Sequence, residues 1–182
     1  MRAMSDSPLP EYVDTRKIFQ QHAVITGTVA LARLDRFRGL LASDAGSVRV
    51  ELEFFDDESG QHIISGKLRA EVEVLCQRCL EPIGIVLHDD IKLALLKDES
   101  KSAMLNPELD PWICADTKLE LATMVEEQLM LCMPIVSFHE SADCNSALSQ
   151  SNSGMLVDDD NVAASENPFA VLKSLQTKDR TN

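Results

Sequence analysis

The sequence lacks the features by which membrane and secreted proteins are usually recognised. Its 182 residues contain no run of about 18 or more uncharged apolar residues, the length needed for a transmembrane helix. The first ten residues include one arginine and no apolar segment of the kind found in secretory signals. We therefore expect a cytoplasmic protein.

Signatures of common enzyme classes are also missing. There is no glycine-rich phosphate loop, no G-x-S-x-G turn and no H-E-x-x-H zinc-protease motif. The adjacent acids Asp56–Asp57 and Asp89–Asp90 are predicted in a loop or on a solvent-facing surface. Since no residues form a convincing acid–base or nucleophile pair, we predict that the protein is not an enzyme.

Cysteine occurs five times, an odd number, and no export signal is predicted. A disulfide framework is therefore not expected, which leaves metal binding, redox chemistry or burial. Cys114 follows Trp112–Ile113, and Cys132 falls on the apolar face of a predicted helix. We expect these two cysteines to be buried as small hydrophobic side chains.

Apolar and polar residues alternate along much of the first hundred residues. The alternation is clear over 47–55 and 62–76, which are separated by the turn-like residues 56–60, and it resumes over 80–96. This pattern is typical of antiparallel strands with one buried face. With a further β-branched strand at 23–31, it predicts an antiparallel sheet spanning about residues 23–96.

Helices are predicted on either side of these strands. Residues 14–21 form a candidate short helix with Asp14 or Thr15 as its N-cap, and residues 33–42 have amphipathic spacing. A longer helix over 117–132 follows the capping-box sequence Thr-Lys-Leu-Glu and must end near Pro134. The chain length fits one domain, so we predict a single α+β domain over residues 14–145.

The C-terminal residues 146–182 are rich in Ser, Asn and Asp and lack apolar periodicity, which predicts a disordered acidic tail. One short segment within it, residues 167–175, has a proline suited to the first position of a helix. Such a short helix would form only when docked on its own domain or on a partner. The side chains that would dock are Phe169, Leu172 and Leu175.

The net charge of −13 is unevenly distributed. Residues 1–50 hold seven Lys/Arg and five Asp/Glu, a net of +2, so the rest of the chain carries −15. A body this acidic repels phosphate backbones. Any RNA contact should therefore use Arg33, Arg36 and Arg38, with Arg78 pointing outward at the cysteine turn; alternatively, these arginines are ordinary solvated surface.

The stretch Val72–Pro82 delivers Cys76 and Cys79 to a predicted tight turn. With His139 and Cys144 they would complete the four Cys/His ligands of a structural zinc site, although about sixty residues separate the two pairs. A redox pair is less favoured, because no helix begins at the motif to lower the thiol pKa. A third interpretation, that Cys76 and Cys79 lie in an ordinary turn and bind no metal, also remains open.

The order of these features resembles the YceD family, the large ribosomal RNA subunit accumulation proteins. The resemblance rests on Leu-Cys-Gln-Arg-Cys-Leu-Glu-Pro at 75–82, the helix after it, His139 and Cys144, and Glu-Asn-Pro-Phe-Ala-Val-Leu-Lys-Ser-Leu at 166–175. It covers about residues 14–175 and implies a non-enzymatic role in synthesis, processing or stability of 23S rRNA during ribosome biogenesis. Family members carry the first cysteine pair and often a second Cys/Cys or His/Cys pair.

Two hypotheses follow. In the first, the protein associates with large-subunit rRNA or its precursor through the arginines. In the second, it is an adaptor whose acidic surface binds a basic ribosomal protein or assembly factor without touching RNA, with Phe169–Leu175 docking as a short helix.

Overall fold

Strands β3 (Ser47–Asp56) and β4 (His62–Leu75) form the centre of a five-stranded sheet in the computed structural model. The structure describes residues 7–141 and 144. Alternate residues of each strand are buried and their neighbours exposed, as the sequence predicts. The strands β2 (Val24–Ala30) and β5 (Pro82–Leu96) pair antiparallel on either side.

A fifth strand, β6 (Asp110–Ile113), differs from the prediction because it runs parallel to β5. The sheet predicted from the sequence ended at about residue 96. Four residues that include Pro111 are too few to show an alternating pattern, and the pairing is set by the neighbouring strand. The sheet is therefore mixed, in the order β2-β3-β4-β5-β6.

Helix α1 (Thr15–Gln20) has Asp14, one of the two predicted candidates, as its N-cap, and the Asp14 Oδ1 accepts hydrogen bonds from the backbone N–H groups of Arg16 and Lys17. Helix α3 (Leu121–Cys132) packs against β5 and ends before Pro134. These two helices cover the buried face of the sheet. No helix in residues 7–141 is long and apolar enough to cross a membrane.

The helix predicted over 33–42 is much shorter than its amphipathic spacing suggested. It is reduced to α2 (Asp35–Arg38), preceded by a short 3₁₀ segment and followed by Gly39. Its N-terminal N–H groups are satisfied by a distant side chain: Glu126 Oε1 accepts from Arg36 N at 2.8 Å and from Phe37 N at 3.0 Å. The buried Glu126 thus fixes this segment against α3.

The predicted capping box at 117–120 is wrong. Residues Lys118–Glu120 form strand β7, which pairs with β1 (Tyr12–Asp14) in a separate two-stranded sheet. The Thr117 carbonyl accepts a hydrogen bond from Thr15 N–H at 2.8 Å. Strand pairing therefore replaces the local capping interaction, and the helix starts only at Leu121.

The two ends of the β4–β5 hairpin lie in different surroundings. At its base, Phe54 is fully buried and Phe19 packs edge-on against it, with ring centroids 5.6 Å apart. The last β3–β4 pair is Val48 with Ala70, so the hairpin extends beyond β3 towards residues 76–79. The predicted tail and its segment Phe169, Leu172 and Leu175 lie outside the described residues.

Candidate metal centre

The cysteine turn closes the far end of the β4–β5 hairpin. Leu80 N–H donates to the Cys76 carbonyl at 2.8 Å, and Cys76 N–H donates to the Glu81 carbonyl at 2.9 Å. Leu80 adopts a left-handed backbone conformation with φ of 61°, which lets the chain reverse within a few residues. This reversal brings the sulfur atoms of Cys76 and Cys79 together.

The segment after α3 delivers the other two candidate ligands. It is fastened to the turn by Gln77, whose backbone N–H donates to the buried Ser137 carbonyl at 3.0 Å. The Gln77 side chain also donates to the Ile135 carbonyl at 3.4 Å. Residues about sixty positions apart in sequence are thereby held side by side, with His139 and Cys144 facing the turn.

All four residues predicted as metal ligands meet in one cluster, hereafter the Cys/His cluster. One ligand atom from each of Cys76, Cys79, His139 and Cys144 lies within 4.8 Å of the others. The Cys76 and Cys144 sulfurs are 4.0 Å apart, and Cys79 Sγ is 3.4 Å from His139 Nδ1. Around a tetrahedral zinc ion these separations are about 3.8 Å and about 3.5 Å, given the usual Zn–S and Zn–N bond lengths.

The donor chemistry also fits a soft or borderline divalent metal. Three thiols and one imidazole form one of the ligand sets used by structural zinc sites. The five cysteines are free, and a sulfur separation of 4.0 Å is about twice a disulfide bond length. The residues therefore fit a zinc ion better than a disulfide.

The thiols of the cluster differ in acidity. Burial favours the neutral thiol at Cys76, but hydrogen bonds from the backbones of Cys79 and Arg78 and from His139 outweigh it and lower the pKa to about 5. At Cys144, burial and hydrogen bonds with Cys76 and Cys79 raise the pKa to about 11. A bound cation would supply the positive charge that a second thiolate in this space requires.

Arg78 does not point outward at the rim as the sequence analysis expected. Its Nη2 donates to the carbonyls of His139 and Ser141, the latter at 3.0 Å. Its guanidinium carbon lies 5.1 Å from the ring centroid of Phe138, within cation–π range. The side chain is half-buried and lies across the loop that carries His139. The sequence could not indicate this orientation of Arg78, because the loop that carries His139 reaches Arg78 only in the folded chain.

The other predicted RNA-contacting arginines are exposed and lie close together on one segment. Arg36 Nη1 is 3.2 Å from Glu127 and Arg38 Nη2 is 3.1 Å from Asp35. Arg33 lies just before α2 and forms no ion pair with any residue in the described part of the chain. Exposed pairs of this kind contribute little free energy, so they hinder a phosphate contact only weakly.

The two cysteines outside the cluster are half-buried rather than fully buried. Both pack against the hydrophobic core. Burial and the nearby charge of Asp89 raise the pKa of Cys132 to about 11. Cys132 Sγ also donates to the Gln128 carbonyl at 3.0 Å. These thiols are neutral and separate from the Cys/His cluster.

An exposed group of apolar side chains surrounds the turn, and the sequence analysis missed it. We call it the apolar rim. Ile135 is 96% exposed and Leu80 is 70% exposed. The sequence signal that could have indicated it is the run Pro-Ile-Val-Ser-Phe after α3. The members of the rim are Leu75, Leu80, Ile135, Val136 and Phe138.

Comparison with known proteins matches the chain to a family model and to individual relatives. The family model described as large ribosomal RNA subunit accumulation protein YceD matches residues 64–176, which include all four members of the Cys/His cluster. The large ribosomal RNA subunit accumulation protein YceD of Haemophilus influenzae is 27% identical over 176 residues, covering 96% of this chain and 100% of that protein. No solved structure matches the chain.

Proposed function

The chain belongs to the YceD family, and we propose that it supports the accumulation of large-subunit ribosomal RNA as a non-enzymatic accessory factor in the cytoplasm. The observation that carries this proposal is the family match over residues 64–176, together with a relative aligned along its whole length. The step served is synthesis, processing or stability of 23S rRNA during bacterial ribosome biogenesis.

The geometry of the Cys/His cluster supports a structural role over a catalytic one. Cys79 and His139 are close enough to resemble a nucleophile and its base. However, the sulfurs of Cys76 and Cys144 occupy the same small volume, so four donors converge on one point. This arrangement leaves the space between them to an ion rather than to a substrate.

We further propose that the cluster binds a structural zinc ion. Zinc would join the hairpin turn to the segment after α3, two regions linked otherwise by a few hydrogen bonds from Gln77 and Arg78. Because such ligands are brought together only in the folded chain, metal binding would stabilise that fold.

Direct RNA contact is proposed through Arg33, Arg36 and Arg38 but not through Arg78, whose guanidinium is held by the loop that carries His139. The exposed, weakly paired positions of the first three support it. Replacing these three by glutamate should weaken binding to large-subunit rRNA fragments at low salt by at least about tenfold, with a shallower salt dependence. Arg69→Glu, an exposed arginine of β4, is the matched control. Unchanged affinity in the triple variant would contradict this placement.

In-cell crosslinking followed by sequencing of the attached RNA tests the function itself. A discrete large-subunit rRNA site is expected. Recovery of protein crosslinks without rRNA would contradict direct contact.

A second candidate, an adaptor that binds a basic ribosomal protein or assembly factor, is favoured by the apolar rim. Exposed apolar side chains such as Ile135 and Phe138 are more typical of a protein interface than of a phosphate-binding surface. In this case purified protein alone should not bind rRNA, and adding the basic protein should restore the association. Binding to rRNA by the purified chain alone would exclude this candidate.

A further inference from the structure

One edge of the five-stranded sheet is left without a partner strand over much of its length. Strand β6 pairs only with Leu93–Leu96 of β5. Among residues 7–141, no strand pairs with the outer edge of β5 between Pro82 and Lys92, although the inner edge pairs continuously with β4. Such an edge presents unpaired backbone N–H and C=O groups to a further strand.

Hydrogen bonding on the other side of β4 shows which groups face this open edge. Ala42 N–H donates at 2.7 Å to the carbonyl of Glu73, on the side of β4 away from β5. Glu73 is therefore in a non-hydrogen-bonded pair with Gly84, and the backbone groups of Gly84 point outward.

The same orientation recurs at every second residue, because the β4–β5 register is uninterrupted. Val86, His88 and Asp90 thus also direct their backbone N–H and C=O groups to the open edge. An independent contact supports the assignment of even-numbered β5 residues to the outer edge. The carbonyl of Leu96, six residues after Asp90, accepts a hydrogen bond at 2.7 Å from the N–H of Cys114, the residue that follows β6.

The residues of the open edge are accessible to solvent. Gly84, Val86, His88 and Asp90 are all exposed, and the exposure of a glycine is exposure of its backbone. A Cβ atom at Gly84 would meet nothing within 4 Å. An open cavity of about 380 Å³ lies over Gly84–Val86 and the adjacent part of β4. The face of the sheet above this part of β5 is therefore open.

The charges along the edge favour a basic partner. A second cavity, of about 330 Å³, is lined by four carboxylates, one lysine and one histidine, which gives a net charge of −3 with the histidine neutral. Its titratable residues are His88, Asp89, Asp90, Lys92, Glu108 and Asp110.

A second copy of the chain fits this edge poorly. Pairing two β5 edges would bring the same carboxylates together, and Asp89 lies half-buried on the core side of the strand. Inward-pointing and edge charges are among the devices that prevent strands from pairing with copies of themselves. The acidic edge therefore selects an occupant of opposite charge.

We propose that the β5 edge from Gly84 to Asp90 binds an extended, Lys/Arg-rich segment of a protein partner by strand addition. The backbone groups of Gly84, Val86, His88 and Asp90 pair with the segment, and the carboxylates beside them attract its basic side chains. This site is separate from the Cys/His cluster and from the arginines of α2, and it does not depend on the proposed contact with RNA.

Amide hydrogen exchange on the full chain tests the proposal, with a peptide of four Lys-Val repeats as the probe. In the free protein, the amides of Val86, His88 and Asp90 should exchange at least about tenfold faster than those of Ile85 and Leu87, which face β4. The peptide should slow exchange at the first set selectively. A peptide of Glu-Val repeats is the control and should cause no protection.

A backbone variant provides the second arm. Val86→Pro removes one outward N–H while leaving the pairing with β4, and should reduce affinity for the Lys-Val peptide by about tenfold or more. Val86→Thr keeps the N–H and should bind as the wild type does. Should Val86→Pro fail to fold, the exchange pattern of the wild type decides.

Four results would overturn the proposal. If the outward amides are already protected from exchange in the free full chain, another segment or copy covers the edge. Equal binding of the Glu-Val peptide would remove the charge selectivity. Protection confined to residues outside 84–90, or unaltered binding by Val86→Pro, would place the peptide elsewhere.

Discussion

The base and the tip of the β4–β5 hairpin are fixed by different kinds of interaction. At the base, Phe54 of β3 and Phe19 of α1 are fully buried, and the His62 ring stacks on Phe19 at a centroid distance of 4.3 Å. At the tip, beyond the last β3 pair at Ala70, four ligand-type side chains converge and the neighbouring apolar side chains stay exposed. Apolar burial thus stabilises the base, whereas the proposed metal ion would cross-link the tip.

The largest effect is expected at the base. Phe54→Ala should lower the free energy of unfolding by about 3–5 kcal/mol, because it leaves a cavity in the core. Denaturant unfolding measures it. Val24→Ala, at a half-exposed strand position, is the control and should change stability by no more than about 0.5 kcal/mol. A similar small loss for both variants would contradict the assignment of the core to this end.

Metal removal should have the next largest effect on stability, because the proposed metal ion lies at the hairpin tip. With free zinc at one hundred times its dissociation constant, chelation should lower the unfolding free energy by about 2.7 kcal/mol in the wild type. Cys79→Ser should show no response to chelator, while Cys132→Ser, outside the cluster, should respond as the wild type does. If chelator leaves the stability of the wild type unchanged, no metal cross-links the tip.

A matched pair of glutamates on α3 separates buried from exposed charge. Glu126→Ala should cost about 1–3 kcal/mol, because the N–H groups of Arg36 and Phe37 lose their acceptor. Its neighbour Glu127 forms only an exposed ion pair with Arg36, so Glu127→Ala should cost no more than about 1 kcal/mol. Equal effects would show that the carboxylate of Glu126 does not hold α2.

The smallest predicted effect concerns the β3–β4 turn at the base. The Ser59 hydroxyl, together with the N–H groups of Gln61, Ser59 and Gly60, lowers the pKa of Asp57 below 3.8. Since the folded pKa is below the unfolded one, this stabilisation is present above about pH 4 and is lost as pH falls through the folded pKa.

Urea unfolding between pH 2 and pH 5 measures this dependence. Asp57→Asn should flatten the pH profile slightly, whereas Glu58→Gln, which removes a charge from the same turn, should leave that part of the profile unchanged. A wild-type profile no steeper than that of Asp57→Asn would contradict the prediction.

The sequence predicted those features that are repeated or chemically distinctive. Alternation over 47–55 and 62–76 was long enough to reveal two strands and their buried face. The cysteine spacing and the downstream His139 and Cys144 were sufficient to name the four residues that meet in the structure. Asp14 was one of two predicted N-caps, and the sequence could indicate it because its interaction is local.

The missed features depend on contacts between distant residues. Pairing with β1 converts Lys118–Glu120 to a strand, which no capping-box rule anticipates. Glu126 sets the start of α2 from ninety residues away. Arg78 lies across the His139 loop because two carbonyls and the Phe138 ring are placed there only by the fold.

Zinc content of the purified full chain tests the central claim most directly. Elemental analysis should find about one zinc ion per chain in the wild type and in Cys132→Ser. Cys79→Ser and His139→Ala should lose most of it. A wild type without zinc, or equal zinc in all four proteins, would contradict a metal cross-link between the hairpin tip and the segment after α3.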